Sequence, residues 1–152
     1  MNLKVGIVTV VKNDAQGLRI TLDSISKQSY QNFNCSVVIG QSSDSTEKVA
    51  QEFSLKDQRF LFVSETNRGI YAAMNDGIRF TNSEFICFMN AGDCFESETS
   101  LAKLIDEIER TNSEVVIGNF VVDDEREVRI KWSSRRIGQK EFAFNRNWGN
   151  HQ

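Results

Sequence analysis

Proline is missing from all 152 residues, against an average usage of about 5%. No proline-rich linker divides the chain, and no internal repeat or low-complexity segment takes its place. Histidine occurs once, as the penultimate residue His151, where a side chain is more apt to fray than to catalyse. Three cysteines, Cys35, Cys87 and Cys94, match no metal-ligand spacing or disulfide framework. Cys35 and Cys87 lie in apolar segments and read as packed, reduced thiols. No apolar run approaches the ~18 residues of a membrane span. The N-terminal stretch lacks a signal peptide's cleavage region and reads as a strand, which points to the cytoplasm. Neither charge sign dominates: 18 Lys and Arg against 21 Asp and Glu leave a net charge of −3, with no basic field to attract nucleic acid or an anionic membrane.

What is present is ordinary for a globular protein, 39% hydrophobic and 26% charged residues, in a length that holds one domain with a real core. Residues 3–11 form a near-continuous β-branched run, the signature of a strand covered on both faces. Lys12-Asn13-Asp14 ends it and offers a helix cap, and Leu18, Leu22 and Ile25 recur at helical spacing. Residues 33–39 read as a second strand, followed by a polar turn in which Ser43 or Asp44 caps a helix carrying Val49 and Phe53. A third strand spans 60–64, and a helix opened by Arg68-Gly69 presents Ile70, Ala73, Met74 and Ile78. A fourth strand spans 85–89, and a helix from Ser97 or Glu98 carries Leu101, Leu104, Ile105 and Ile108. A fifth strand is expected over 114–118 and a β-hairpin over 119–132, turning at Asp123-Asp124-Glu125-Arg126. The alternation predicts an α/β fold, an open, mostly parallel sheet with helices on both faces. Right-handed crossovers then bring the strand ends at Val11, Ile39, Ser64 and Met89 to one edge, where the polar loops face a common cleft.

The fourth strand stops in Asn90-Ala91-Gly92-Asp93. Asp93 places a carboxylate just past a strand's carboxyl end, where open α/β sheets bind ligands. A carboxylate there can hold a divalent cation, and the cation a diphosphate. The same aspartate also reads as a turn residue capping the next helix.

Five stretches carry a family likeness. The first is Val8-Thr9-Val10-Val11-Lys12-Asn13-Asp14 with Gly17-Leu18, Thr21-Leu22, Ser24-Ile25, Gln28, Tyr30 and Asn32-Phe33. The second is Val38-Ile39-Gly40-Gln41-Ser42-Ser43-Asp44-Ser45-Thr46, and the third Ser64-Glu65, Arg68-Gly69-Ile70-Tyr71-Ala72-Ala73-Met74-Asn75 and Gly77-Ile78. The fourth runs through 84–95 and the last is Gly149-Asn150-His151-Gln152. In this order they resemble family 2 glycosyltransferases of the GT-A fold, nearest a bacterial polysaccharide-assembly branch that includes colanic-acid-type enzymes.

The resemblance implies one nucleotide-sugar-binding domain over 1–152 that lacks much of the family's acceptor-binding half. It implies a metal-dependent, inverting transfer of sugar from a UDP- or GDP-sugar to a glycan or lipid-linked acceptor in surface polysaccharide assembly. Mn2+ or Mg2+ would be held by Asp93, with Asn90 and Ala91 beside the donor. Thr9, Val11 and Asn13 would form the base pocket, and Gln41 or Asp44 would contact the nucleotide. Arg68 would reach the diphosphate, with Tyr71 and Asn75 following on its helix. Ile39 stands where the family usually has an Asp that contacts the base, and Ala72 where another Asp is usual. Plainer roles stand beside these: Asn13, Asp14 and Asp44 as helix caps, Arg68 as a solvated cation, Asn75 facing water. The family's general base comes from its acceptor half, and none is assigned here; Asp123 and Asp124 read as solvated turn residues. A second reading is a truncated or inactive homologue that binds nucleotide or a partner protein without turnover. Phe142, Phe144 and Trp148 would mask apolar surface or mediate a homodimer, and any membrane contact would be peripheral, through a partner at the inner face.

Overall fold

The computed structural model describes residues 3–66 and 69–118. In chain order they form β1 (Val5–Val11), α1 (Ala15–Ser26), β2 (Phe33–Ile39), α2 (Thr46–Lys56), β3 (Phe60–Ser64), α3 (Ile70–Thr81), β4 (Phe85–Phe88) and α4 (Ser100–Thr111). Arg68, the hairpin expected over 119–132, the aromatic tail and His151 lie outside the described residues. The chain divides into two compact units, Met1–Lys103 and Leu104–Gln152.

The first unit is built on one parallel sheet in the order β3-β2-β1-β4. Val5 pairs with Phe33 on one side and Phe85 on the other, so β1 is central. Every residue of β1 is buried, as its uncharged, β-branched run demands, since both faces must be covered. β1 to β2 to β3 steps in one direction, and β3 to β4 steps back across β1. With right-handed crossovers, α1 and α2 therefore cover one face and α3 the other.

The contacts agree. Phe53 of α2 stacks against Phe60, which meets Phe33 edge-on at 6.3 Å between centroids. Leu18, Leu22 and Ile25 of α1 are fully buried, each burial contributing about 1.5–3 kcal/mol. On the opposite face Ala73 of α3 joins Val8, Val10 and Val38, with Met74, Val63 and Ile86 around them. α3 lies close to the strands because Gly77 faces them: a Cβ there would sit 2.3 Å from Val8 Cγ1.

Three expectations are corrected. Residues 114–118 form no strand; among the described residues nothing supplies a ladder partner, and Val115 and Ile117 stay 41% and 55% exposed. An apolar run of strand length becomes a strand only where a neighbour takes its hydrogen bonds. β4 ends at Phe88, although Met89 N–H still donates to Val8 O at 3.0 Å. The helix expected from Ser97 or Glu98 begins at Ser100, preceded by a turn in which Ser97 N–H donates to Ser100 Oγ at 3.1 Å. In the second unit, Ile105 and Ile108 of α4 are buried and Arg110 pairs with Glu107 at 2.6 Å. No helix among the described residues is long and apolar enough to cross a membrane.

Candidate functional site

The carboxyl ends of the strands lie at one edge, and β1 is the point where the chain's direction across the sheet reverses. In open α/β sheets the crevice at such a switch point takes the ligand. Three loops meet the end of β1 there. Gly40 N–H, after β2, donates to Val11 O at 2.9 Å, and Ala91 N–H, after β4, donates to Val10 O at 3.4 Å.

The loops after β1 and β2 are laced together. Asn13 takes a left-handed φ of 51°, which asparagine tolerates better than most residues. Its N–H donates to Ser42 Oγ at 3.0 Å, and its Oδ1 accepts the Ser43 N–H at 2.7 Å. Asp14 caps α1, accepting the Gly17 N–H at 2.8 Å. Asp44 does what a cap does for two helices at once: Oδ1 accepts the Thr46 N–H and hydroxyl, and Oδ2 accepts the Ala15 N–H at 3.1 Å. Ser45 occupies the N-cap position of α2 without a side-chain capping bond.

The hydroxyl of Thr46, with the Thr46 and Ala15 amides, holds the Asp44 carboxyl below the usual aspartate range. Such a group adds stability at pH above its unfolded value near 3.9 and loses it as pH falls through the lower folded value. Urea midpoints measured between pH 6 and about pH 2.5 should therefore fall more steeply below about pH 4 for the native chain than for Asp44→Asn.

Thr9 is fully buried on the face covered by α1 and α2, its Oγ1 3.8 Å from Cys35 Sγ. It therefore belongs to the core, and a base outside the strand ends is out of its reach. Val11 is also buried and meets the loops through its carbonyl. Gln41 is exposed and lines a cleft of about 420 Å3 at the ends of β2 and β3, with Ile39, Gly40, Ser42, Glu65 and others. Asn13 and Asp93 do not line that cleft. Tyr71, 80% exposed, and Asn75, also exposed, share an outer stripe of α3 and line no part of it. Arg68 lies outside the described residues.

Asn90, Ala91 and Asp93 form a tight turn past β4. Asp93 N–H donates to Asn90 O at 3.0 Å, and Asp93 Oδ2 accepts the Asn90 N–H at 3.0 Å. Gly92, with φ of 96°, supplies the left-handed step that the turn needs. The Asp93 carboxylate is exposed. Among the described residues no group of three or more His, Cys, Asp or Glu gathers as a metal cage. A single exposed carboxylate of this kind is chemically able to serve as one oxygen ligand of a hard divalent cation, as in Mg2+ sites completed by phosphate oxygens and water.

Sequence reasoning missed the group that seats this turn. Thr21 of α1 is fully buried, donates to Asp93 O at 2.7 Å and accepts the Gly92 N–H at 3.0 Å. The available signal was its spacing: Thr21 and Ser24 interleave with the buried Leu18, Leu22 and Ile25 on the helix, and Gln28 follows just past its end.

The open parallel sheet with its flanking helices has the GT-A architecture of its structural neighbours. The fold matches a mannosyltransferase from Pyrobaculum calidifontis in complex with GDP-Man and Mn2+, with a TM-score of 0.67 and 22% identity over 73% of this chain and 34% of that one. It also matches S. aureus TarS, with a TM-score of 0.66 and 19% identity over 73% of this chain and 34% of that one. The family model described as Glycosyl transferase family 2 matches residues 6–151, and the chain belongs to that family. Among curated relatives, GlyA of Streptococcus pneumoniae is 30% identical over 124 residues, 82% of this chain and 18% of that protein. GlyG of the same organism is 28% identical over 126 residues, 82% of this chain and 42% of that protein. The chain spans 18% to 49% of the length of these and other curated relatives.

Proposed function

We propose that the chain forms the donor-binding part of a metal-dependent, inverting glycosyltransferase. It would move a sugar from a UDP- or GDP-sugar to a glycan or lipid-linked acceptor in bacterial surface polysaccharide assembly, on the cytoplasmic side of the membrane. The observation that carries this reading is the exposed Asp93 carboxylate, set by a tight turn past β4 beside the switch strand β1. Family membership supports it, as do the GDP-Man and Mn2+ held by the Pyrobaculum enzyme and the UDP-GlcNAc held by TarS.

In this reading Asp93, with Asn90 beside it, would hold Mn2+ or Mg2+, which would supply positive charge to the diphosphate leaving group. The base lies in the cleft at the ends of β2 and β3, against Gln41 and the neighbouring Glu65. That shifts base recognition from Thr9, Val11 and Asn13 to the second and third strand ends. Asn13 and Asp44 keep the two flanking loops in place. The acceptor hydroxyl attacks the anomeric carbon in a single displacement. A carboxylate of an acceptor-binding part would take its proton.

Calorimetry of the folded protein with UDP- and GDP-sugars, with and without Mn2+, tests the proposal. Binding of one nucleotide class, tightened by Mn2+, is the expected result; no binding of either class overturns it. A second reading, binding without turnover, is favoured by one feature. Ile39, at the position where the family has its base-contacting acid, lines the cleft. Product formed by the protein from donor and acceptor would remove that reading.

A further inference from the structure

The segment from Asn90 to Leu101 is fastened to one stripe of α1 and to the turn that follows it. Thr21 holds Asp93 O and the Gly92 N–H, Ser24 Oγ accepts the Phe95 N–H at 3.2 Å, and Gln28 Nε2 donates to Ser97 O at 2.8 Å. Gln28 Oε1 accepts the Leu101 N–H at 2.9 Å, and Ser29 N–H donates to Glu98 O at 2.7 Å. Positions 21 and 24 fall on one side of α1, Gln28 lies just past its C-cap, and Thr21 and Gln28 are buried almost completely.

The Thr21 hydroxyl has one proton and lies within reach of three carbonyls, Gly17 O at 3.1 Å, Asn90 O at 3.2 Å and Asp93 O at 2.7 Å. Asn90 O already receives the Asp93 N–H, and Gly17 O sits in the helix's own ladder. The proton therefore goes to Asp93 O, the nearest of the three, while a lone pair takes the Gly92 N–H. Asp93 is thus fixed through its own carbonyl, through the amide before it, and through Oδ2 on Asn90. Among the described residues Oδ1 makes no hydrogen bond in this network.

We infer that Thr21 is the positioning residue of the metal carboxylate: it sets the Asn90–Asp93 turn before any ligand arrives, so that metal and diphosphate bind a turn already ordered. The inference rests on the reading of Asp93 as the metal carboxylate. A side chain held in place beforehand binds more tightly than one ordered on binding, and partners just outside a metal's ligands commonly carry ~10–100-fold in affinity.

The test pairs Thr21→Val, which keeps the shape and removes the hydroxyl, with Thr21→Ser, which keeps the hydroxyl. In Thr21→Val, hydrogen exchange at the Gly92 amide should rise, and the Mn2+-dependent gain in UDP- or GDP-sugar affinity should shrink about tenfold. Metal-free nucleotide affinity should stay within about twofold of native, because the cleft at β2 and β3 is not touched. Thr21→Ser should behave as the native chain in both measurements. A residue that merely supports the fold would instead lower stability and both affinities together. A folded Thr21→Val protein with the full Mn2+ gain overturns the inference, as does loss of both affinities in step. If Thr21→Val does not fold, Ser24→Ala replaces it, with faster exchange at the Phe95 amide and a Mn2+ gain reduced about threefold as the expected result; an unchanged gain overturns the inference. A native chain that binds no nucleotide overturns the reading of the site itself, a result distinct from a native Mn2+ gain that Thr21→Val retains.

Discussion

Asp93→Asn is expected to erase the Mn2+-dependent share of nucleotide-sugar affinity while leaving the protein folded. Asparagine keeps an oxygen for the Asn90 N–H, which now donates to Asp93 Oδ2 at 3.0 Å, so the turn retains its bond. The residue is exposed, and surface substitutions that keep their hydrogen bonds change stability by about 0.5 kcal/mol or less. What the variant loses is the negative charge, and with it the hard anionic oxygen that Mn2+ and Mg2+ favour. No acidic cluster among the described residues can replace it. The affinity gain from Mn2+ should therefore fall by at least the ~10–100-fold that loss of an outer partner alone commonly causes. Asp93→Glu restores the charge one methylene further out and should recover only part of the gain. Paired calorimetric titrations with and without Mn2+, beside a thermal melt, separate the two effects. An asparagine variant that melts normally and keeps the full Mn2+ gain would place the metal elsewhere.

The central strand was legible because Val5 to Val11 carries no charge and is dominated by β-branched residues, and such a run is stable only when covered on both faces. The helices were legible from spacing: Leu18, Leu22 and Ile25 repeat on one face of α1 and are fully buried there. The strand order adds little uncertainty once β1 is central, because right-handed crossovers leave few arrangements. The site was legible only in outline. Asp93 announces itself by standing just past a strand among turn formers. Thr9 was picked for its place near the first strand's end, and its parity with Ile7 and Val11 puts it on a face that two helices cover. Asp44 could have been a cap or a contact; the carboxylate spends both oxygens on the starts of α1 and α2. Thr21 gave the weakest signal, since a threonine between Leu18 and Leu22 reads as helix filler until the partner loop is seen. Val115, Val116 and Ile117 have the composition of a strand, and composition carries no information about whether a neighbour is there to pair.

Gly77→Ala puts two effects of opposite sign into competition. In an exposed helix, replacing glycine by alanine stabilises by about 1 kcal/mol through backbone entropy. At this position the new Cβ would lie 2.3 Å from Val8 Cγ1 and 3.2 Å from Val38 Cγ2. Val8 is 1% exposed in the central strand and cannot swing aside. Its β-branched side chain has few staggered positions, and its other methyl is itself only 3.3 Å from the same point. The helix must therefore lift off β1 and β2, opening the layer that Ala73 and Met74 now close against Val10 and Val38. Overpacking of this kind destabilises by about 1–3 kcal/mol, which outweighs the helix gain, so we expect a net loss of about 1 kcal/mol, read as a lower urea midpoint at unchanged slope. The double variant Gly77→Ala with Val8→Ala makes the argument specific, because the added methyl then enters the space the valine leaves. Its destabilisation should be smaller than the sum of the two single losses by about 1–2 kcal/mol. Stabilisation by Gly77→Ala alone would mean that α3 stands further from the sheet than the Val8 contact requires.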